Sequence, residues 1–312
     1  MLARWRREPA PAPARESSDG GGLSADERDR IQRIRIRTRR LASAVLGGDY
    51  RSVFRGTGIE FAEAREYVPG DDVRFIDWNV TARMGTPWVK EYAEERELSV
   101  IHAVDVSASG LVAHRADGRI GAAAELVALL GFAATEHHDR VGMLTFGDGI
   151  EQFVPPKHGV THVMRLVRDV IRHPTPAPGT NIAVACDYLA RTLRRRSVVF
   201  LISDFFDGGY EDSLRTLARR HDVIALVLVD PADLELPDLG IVRVAAAEGG
   251  RAELVDSASA RVRERYAEAA LVQAEERRRS LASAGVDEVE IRLDGDLVAP
   301  IARFFRQRAL RR

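Results

Sequence analysis

Five oxygen-bearing residues have the types and placement to hold one hard cation: Asp105, Ser107, Ser109, Thr180 and Asp204. The first three lie in SVIHAVDVSASG at 99–110, where a Val- and Ile-rich run ends abruptly in small polar side chains. That is the pattern of a buried parallel strand leaving its sheet. Alternate residues of an extended turn point the same way, so D-x-S-x-S lets one carboxylate and two hydroxyls converge. Thr180 sits in PGTNI at 178–182, a glycine-permitted loop feeding a helix, and Asp204 closes a second apolar run, VVFLISD. Ligands in open α/β sheets bind outside the carboxyl ends of the strands, where both acids stand. Two carboxylates and three hydroxyls suit Mg²⁺ or Mn²⁺, with water or a partner's acidic side chain completing the shell.

The elements that must position these residues follow from periodicity. Strands are expected near 98–105, 141–147, 150–154, 197–203, 222–229, 241–246 and 288–292, and helices near 119–138, 160–173, 181–195, 210–220, 257–284 and 297–309. Strands separated by helices imply an α/β fold with a doubly wound, mainly parallel sheet. The turn FGDGI at 146–150 has Asp-Gly at its centre and predicts one antiparallel edge strand. The Arg/Glu-rich stretch 258–279 reads as a surface helix laced with i,i+4 pairs.

Upstream, residues 1–22 mix Pro, Ala, Gly, Ser and charge and read as a disordered tail. Residues 23–50 read as a basic amphipathic helix: SADE at 24–27 is a capping box, and Ile31, Ile34, Thr38, Leu41 and Val45 form its apolar stripe. Residues 51–96 read as a segment packed on the main domain, 97–312, because Phe61, Tyr67, Val73, Phe75, Ile76, Trp78, Trp88, Val89 and Tyr92 are too apolar for an exposed tether. Its charges (Arg65, Glu66, Asp71, Asp72, Arg74, Asp77, Arg83) have two readings: an ion-pair network fixing an irregular segment, or a polar surface that docks a partner.

Composition sets limits. A net charge of −1 argues against a general nucleic-acid binder. The single cysteine, Cys186, allows no internal disulfide and reads as a small core residue. The longest apolar stretch, 121–135, is too short for a membrane span and carries Glu125; a cytoplasmic protein without a membrane span is therefore expected. No P-loop, zinc spacing or G-x-S-x-G elbow occurs, and His137 and His138 read as exposed loop residues.

The five-residue set resembles the metal-ion-dependent adhesion site of von Willebrand factor type A domains, with all five ligand positions matching. The segment 56–83, GTGIEF followed by REYVPGDDVRFIDW and Ala82-Arg83, resembles the bacterial family called domain of unknown function 58. The resemblance implies a von Willebrand A-like domain associated with a MoxR-type AAA+ ATPase, acting as an adaptor in protein maturation or complex assembly. No catalytic residue is expected. Two other readings stay open: a scaffold whose site holds no metal, and a Mg²⁺-dependent phosphohydrolase with Asp105 as nucleophile. The second lacks its acid, because Ser107 stands where a second Asp is needed.

Overall fold

The computed structural model describes residues 25–42, 50, 60–93, 97–108, 117–173, 179–244 and 253–311. The expected tail, Val45 and Ser109 lie outside them. In chain order the helices are α1 (Ala25–Leu41), α2 (Trp78–Met84), α3 (Gly118–Glu136), α4 (Val160–Ile171), α5 (Ile182–Thr192), α6 (Glu211–Ala218), α7 (Pro231–Leu234), α8 (Ala260–Ser283) and α9 (Val298–Leu310). The strands are β1 (Glu60–Glu66), β2 (Trp88–Ala93), β3 (Ser99–Asp105), β4 (Arg140–Phe146), β5 (Ile150–Lys157), β6 (Val198–Ser203), β7 (Asp222–Val229), β8 (Ile241–Val244), β9 (Glu253–Asp256) and β10 (Asp287–Arg292).

Six strands form the central sheet in the order β10-β7-β6-β3-β4-β5. All neighbours pair in parallel except β4 with β5, the expected hairpin. Numbered along the chain, this is the doubly wound order 3-2-1-4-5-6 read from the β5 edge. It carries the single antiparallel edge strand expected of a von Willebrand A-like domain. The order reverses between β3 and β6, so the crevice of the sheet opens where those two strands end.

Alternation along β3 explains its double burial. Val100 and Val104 join a core built from α1, α3, α4 and α9, while Ile101 and Ala103 join a second core with α5, α6 and α8. Complete burial of each such branched side chain contributes roughly 1.5–3 kcal/mol. Helix α3 is rich in Ala and Gly, which lets its neighbours come close. A Cβ on Gly131 would lie 2.7 Å from Val163 Cγ1 of α4. This helix runs 19 residues and is long and apolar enough to cross a membrane, correcting the shorter span read from sequence; most of it is buried inside the fold. Cys186 is buried in α5, and burial pushes its thiol up to about 12, as suits a core residue.

Two parts of the expected layout change. The strand expected near 241–246, described as far as Val244, stays out of the central sheet; it pairs antiparallel with β9, whose described residues, ELVD, are half charged and do not stand out in sequence. The segment 60–93 contains a two-stranded antiparallel sheet, β1 with β2, plus a 3₁₀ turn at Val73–Phe75 and α2. The charged strand β1, EFAEARE, hides its alternation, because the pairing register shifts between Phe61 and Glu63.

Candidate metal centre

Asp105 is the last residue of β3 and Asp204 follows the last residue of β6, so the two acids flank the switch point of the sheet. Both are nearly buried, at 8% and 5% exposed. Each is held by its own turn. The Ser107 N–H donates to Asp105 Oδ1 at 2.9 Å, and the Phe206 N–H donates to Asp204 Oδ1 at 3.1 Å. These carboxylate-to-backbone turns are what Asp does at an element end. Phe205, between them, has φ 56°, a left-handed conformation uncommon for a bulky residue and typical of a constrained site.

Thr180 arrives from the far side of the β4–β5 turn. Its loop is pinned at three points: the Asn181 N–H donates to the Gly147 carbonyl at 2.7 Å, the Ile182 N–H to Asp207 Oδ2 at 2.8 Å, and Asn181 Oδ1 caps α5 through the Val184 N–H at 3.0 Å. So fixed, the Thr180 hydroxyl donates to Asp105 Oδ2 at 3.4 Å. Ser203 donates to the same oxygen at 2.6 Å and accepts the Phe205 N–H at 3.1 Å.

The fold thus brings together four of the five expected ligands: Asp105, Ser107, Thr180 and Asp204. Ser109 lies outside the described residues. Ser203 was missed by sequence reading, although a lone Ser in the apolar run VVFLIS was a signal. Arg119 was missed as well. It stands in the first turn of α3, is 4% exposed, and sets its Nε 3.6 Å from Asp204 Oδ2. Its second partner is Asp233, held by Nη2. An arginine in the Ala- and Gly-rich run GRIGAAAELVALLGFAATE was the signal there.

Burial pushes the Asp105 carboxyl up to about 6, and the charge of Asp204 adds to the shift; the hydroxyls of Ser203 and Ser107 and the Ser107 N–H oppose it. Two like charges held out of water at one point call for counter-charge, and Arg119 supplies it only in part, from the Asp204 side and shared with Asp233. That demand, with the hydroxyls of Ser107, Thr180 and Ser203 gathered beside it, fits a small divalent cation. Among the described residues no three His, Cys, Asp or Glu side chains group as a metal cage. The donors that do gather, two carboxylates with the hydroxyls of Ser107, Thr180 and Ser203, are an all-oxygen set, which suits Mg²⁺ better than Zn²⁺.

The charges at 65–83 are placed differently. Arg65 grips Asp71 through two hydrogen bonds of 2.7 and 2.8 Å, and Asp71 also accepts the Val68 N–H at 2.9 Å. The Arg65 hydrogen bonds hold the Asp71 carboxyl down to about 2. Arg74 pairs with Asp72 at 2.6 Å, and Asp77 caps α2 through Asn79 and Val80. Arg83 is exposed on α2. Beside these exposed charges the same surface presents apolar side chains: Val68, Val73, Phe75, Trp78 and Met84.

Among known proteins, an uncharacterized protein of Mycobacterium tuberculosis H37Rv is 33% identical over 287 residues, covering 89% of this chain and 88% of that one. Among solved structures, the conserved hypothetical protein BatB of Bacteroides thetaiotaomicron superposes with a TM-score of 0.46 at 17% identity, over 68% of this chain and 99% of that one. The SpRpn10 VWA domain superposes with a TM-score of 0.35 at 12% identity, over 67% and 95%. Residues 63–276, over half of the chain, match the family described as protein of unknown function DUF58, and the chain belongs to that family.

Proposed function

We propose that this chain is a non-enzymatic, metal-dependent protein-interaction adaptor. The observation that carries the reading is the pair of buried carboxylates, Asp105 and Asp204, at the switch point with hydroxyls about them. Mg²⁺ or Mn²⁺ would be held by Asp105, Ser107, Thr180, Asp204 and Ser109, and when bound it would offer an open position to a carboxylate of the partner. The chain's own part is to orient. The Asx turns fix both acids, the Asn181 loop brings Thr180, and Ser203 keeps Asp105 turned inward. No general acid stands where a phosphohydrolase needs one, since Ser107 occupies that place.

The working partner we favour is a MoxR-type AAA+ ATPase, as the family resemblance implies, with a cytoplasmic setting. It should present an acidic side chain to the strand-end face. The test is calorimetric titration of this chain with such an ATPase in Mg²⁺ and again in excess chelator. Binding should need the cation and vanish on chelation. Equal affinity in both buffers would overturn the metal-dependent contact and move the interface to the 65–83 surface, where exposed apolar groups and Arg83 remain available.

A further inference from the structure

Arg119 is a buried cation already in contact with the candidate centre. Its Nε lies 3.6 Å from Asp204 Oδ2, beyond hydrogen-bond length but within an ion pair. Asp204 Oδ1 meanwhile accepts the Phe206 N–H. A cation reaching Asp204 therefore meets a carboxylate engaged on both oxygens. The rest of the guanidinium is engaged on Asp233. That second acid belongs to the capping box of α7: Asp233 Oδ2 accepts the Asp230 N–H at 2.9 Å, and Asp230 Oδ1 accepts the Ala232 N–H at 2.9 Å. The Tyr266 hydroxyl donates to the Ala232 carbonyl at 2.7 Å and ties α8 to the same corner. Burial works against the charge of Arg119, yet the fields of Asp233, Asp204 and Asp230 hold it protonated.

We infer that Arg119 is an internal counter-cation that competes with a divalent ion for Asp204, and that it links occupancy of the centre to the α7–α8 corner. This rests on the metal reading above. With the centre empty, the guanidinium divides its charge between Asp204 and Asp233. A divalent ion on Asp204 repels it and takes the carboxylate's charge, so Arg119 falls wholly to Asp233 and tightens the α7 cap. The arrangement makes the centre a weak binder by itself, one that a partner's carboxylate can complete. By linkage, whatever tightens Arg119 on Asp233 also favours the ion. The sharing has a direction: taking Asp233 away strengthens the hold of Arg119 on Asp204, and taking Arg119 away frees Asp204.

The experiment is Mn²⁺ titration of the full chain by calorimetry for the unaltered protein, Arg119→Met, Asp233→Asn and Asp105→Asn. Arg119→Met should bind Mn²⁺ about tenfold more tightly. Asp233→Asn should bind it several-fold more weakly, and it decides the question alone if Arg119→Met fails to fold. In the unaltered chain, Mn²⁺ should slow hydrogen exchange of the amides at 231–235, and this should disappear in Arg119→Met. Binding seen only in Arg119→Met also supports the inference. Equal affinities in the unaltered chain, Arg119→Met and Asp233→Asn, with Asp105→Asn abolishing binding, overturn the role of Arg119 and leave the metal centre standing. No binding by any variant, or binding that survives Asp105→Asn, brings down both readings.

Discussion

The two ends of the central sheet each bury a carboxylate whose pKa is pushed up to about 6, and the resemblance stops there. At the far end Asp139 precedes β4 and has a donor on each oxygen. The Leu98 N–H reaches Oδ1 at 2.8 Å and the Tyr50 hydroxyl reaches Oδ2 at 3.0 Å. Tyr50 stacks on His137 with ring centroids 5.4 Å apart and meets Phe305 of α9 edge-on at 6.0 Å. His137 is thus half-buried packing rather than the exposed loop residue read from sequence. Burial raises Asp139 and its donors restrain the shift; like charge enters only last, through Glu97. At the near end Asp105 also has donors, but there another buried carboxylate, Asp204, adds to the shift. One end is a finished knot that ties Tyr50 to the starts of β3 and β4. The other is an unfinished one that a cation can complete.

The largest expected effect separates the two ends by mutation. Asp139→Ala strands the Leu98 N–H and the buried Tyr50 hydroxyl, and should cost about 2–5 kcal/mol of stability. Asp105→Asn keeps an acceptor and removes a like charge, so in chelator it should change stability by less than about 1 kcal/mol or raise it. Urea unfolding of both variants checks this, and equal losses would erase the distinction.

The next effect is pH. Folded Asp139 holds its proton to about pH 6, above the ordinary carboxylate value of 3.8. The folded chain therefore binds more protons than the unfolded chain between those values. The stabilisation is full below the ordinary value and is lost as pH rises through about 6. For one buried carboxyl this amounts to about 3 kcal/mol. Asp139→Asn should remove its share of the slope in that part of the stability–pH curve and leave the share of Asp105; an unchanged slope would mean that the knot does not hold the proton.

Cation addition should act on one end alone. Mg²⁺ at a hundred times its dissociation constant should stabilise the unaltered chain by about 2.7 kcal/mol. A thermal melt should show this shift persisting in Asp139→Asn and absent in Asp105→Asn. The smallest effect belongs to the outer segment. Arg74 and Asp72 pair in solvent, so Arg74→Ala should leave the urea midpoint unmoved within error. A clear drop would mean that this pair, like the Asp139 knot, is structural.

Much of the centre was legible in sequence. Asp105 and Asp204 each end an apolar run, Thr180 lies in a glycine loop feeding a helix, and the Asp-Gly turn marks the antiparallel edge. These signals are local: a strand's periodicity and a cap's chemistry are written in a few consecutive residues. The β1–β2 sheet was not legible, because its strands are charged and its register shifts. Of the β8–β9 pair only β8 was legible; β9, whose described residues ELVD are half charged, was not.

What the sequence determined by itself is the six strands of the central sheet, the acidic ends of two of them and the donor chemistry those ends bring. What only the tertiary structure decided is which charges meet. The reversal of strand order places the end of β3 beside the end of β6, and that contact sets Ser203 on Asp105 and Arg119 on Asp204. The same packing gives both buried carboxylates donors but sets only Asp105 beside another buried acid. The physical reason is that the cost of a charge depends on burial and on the neighbours that replace its water. Those neighbours come from distant parts of the chain, which no local pattern records.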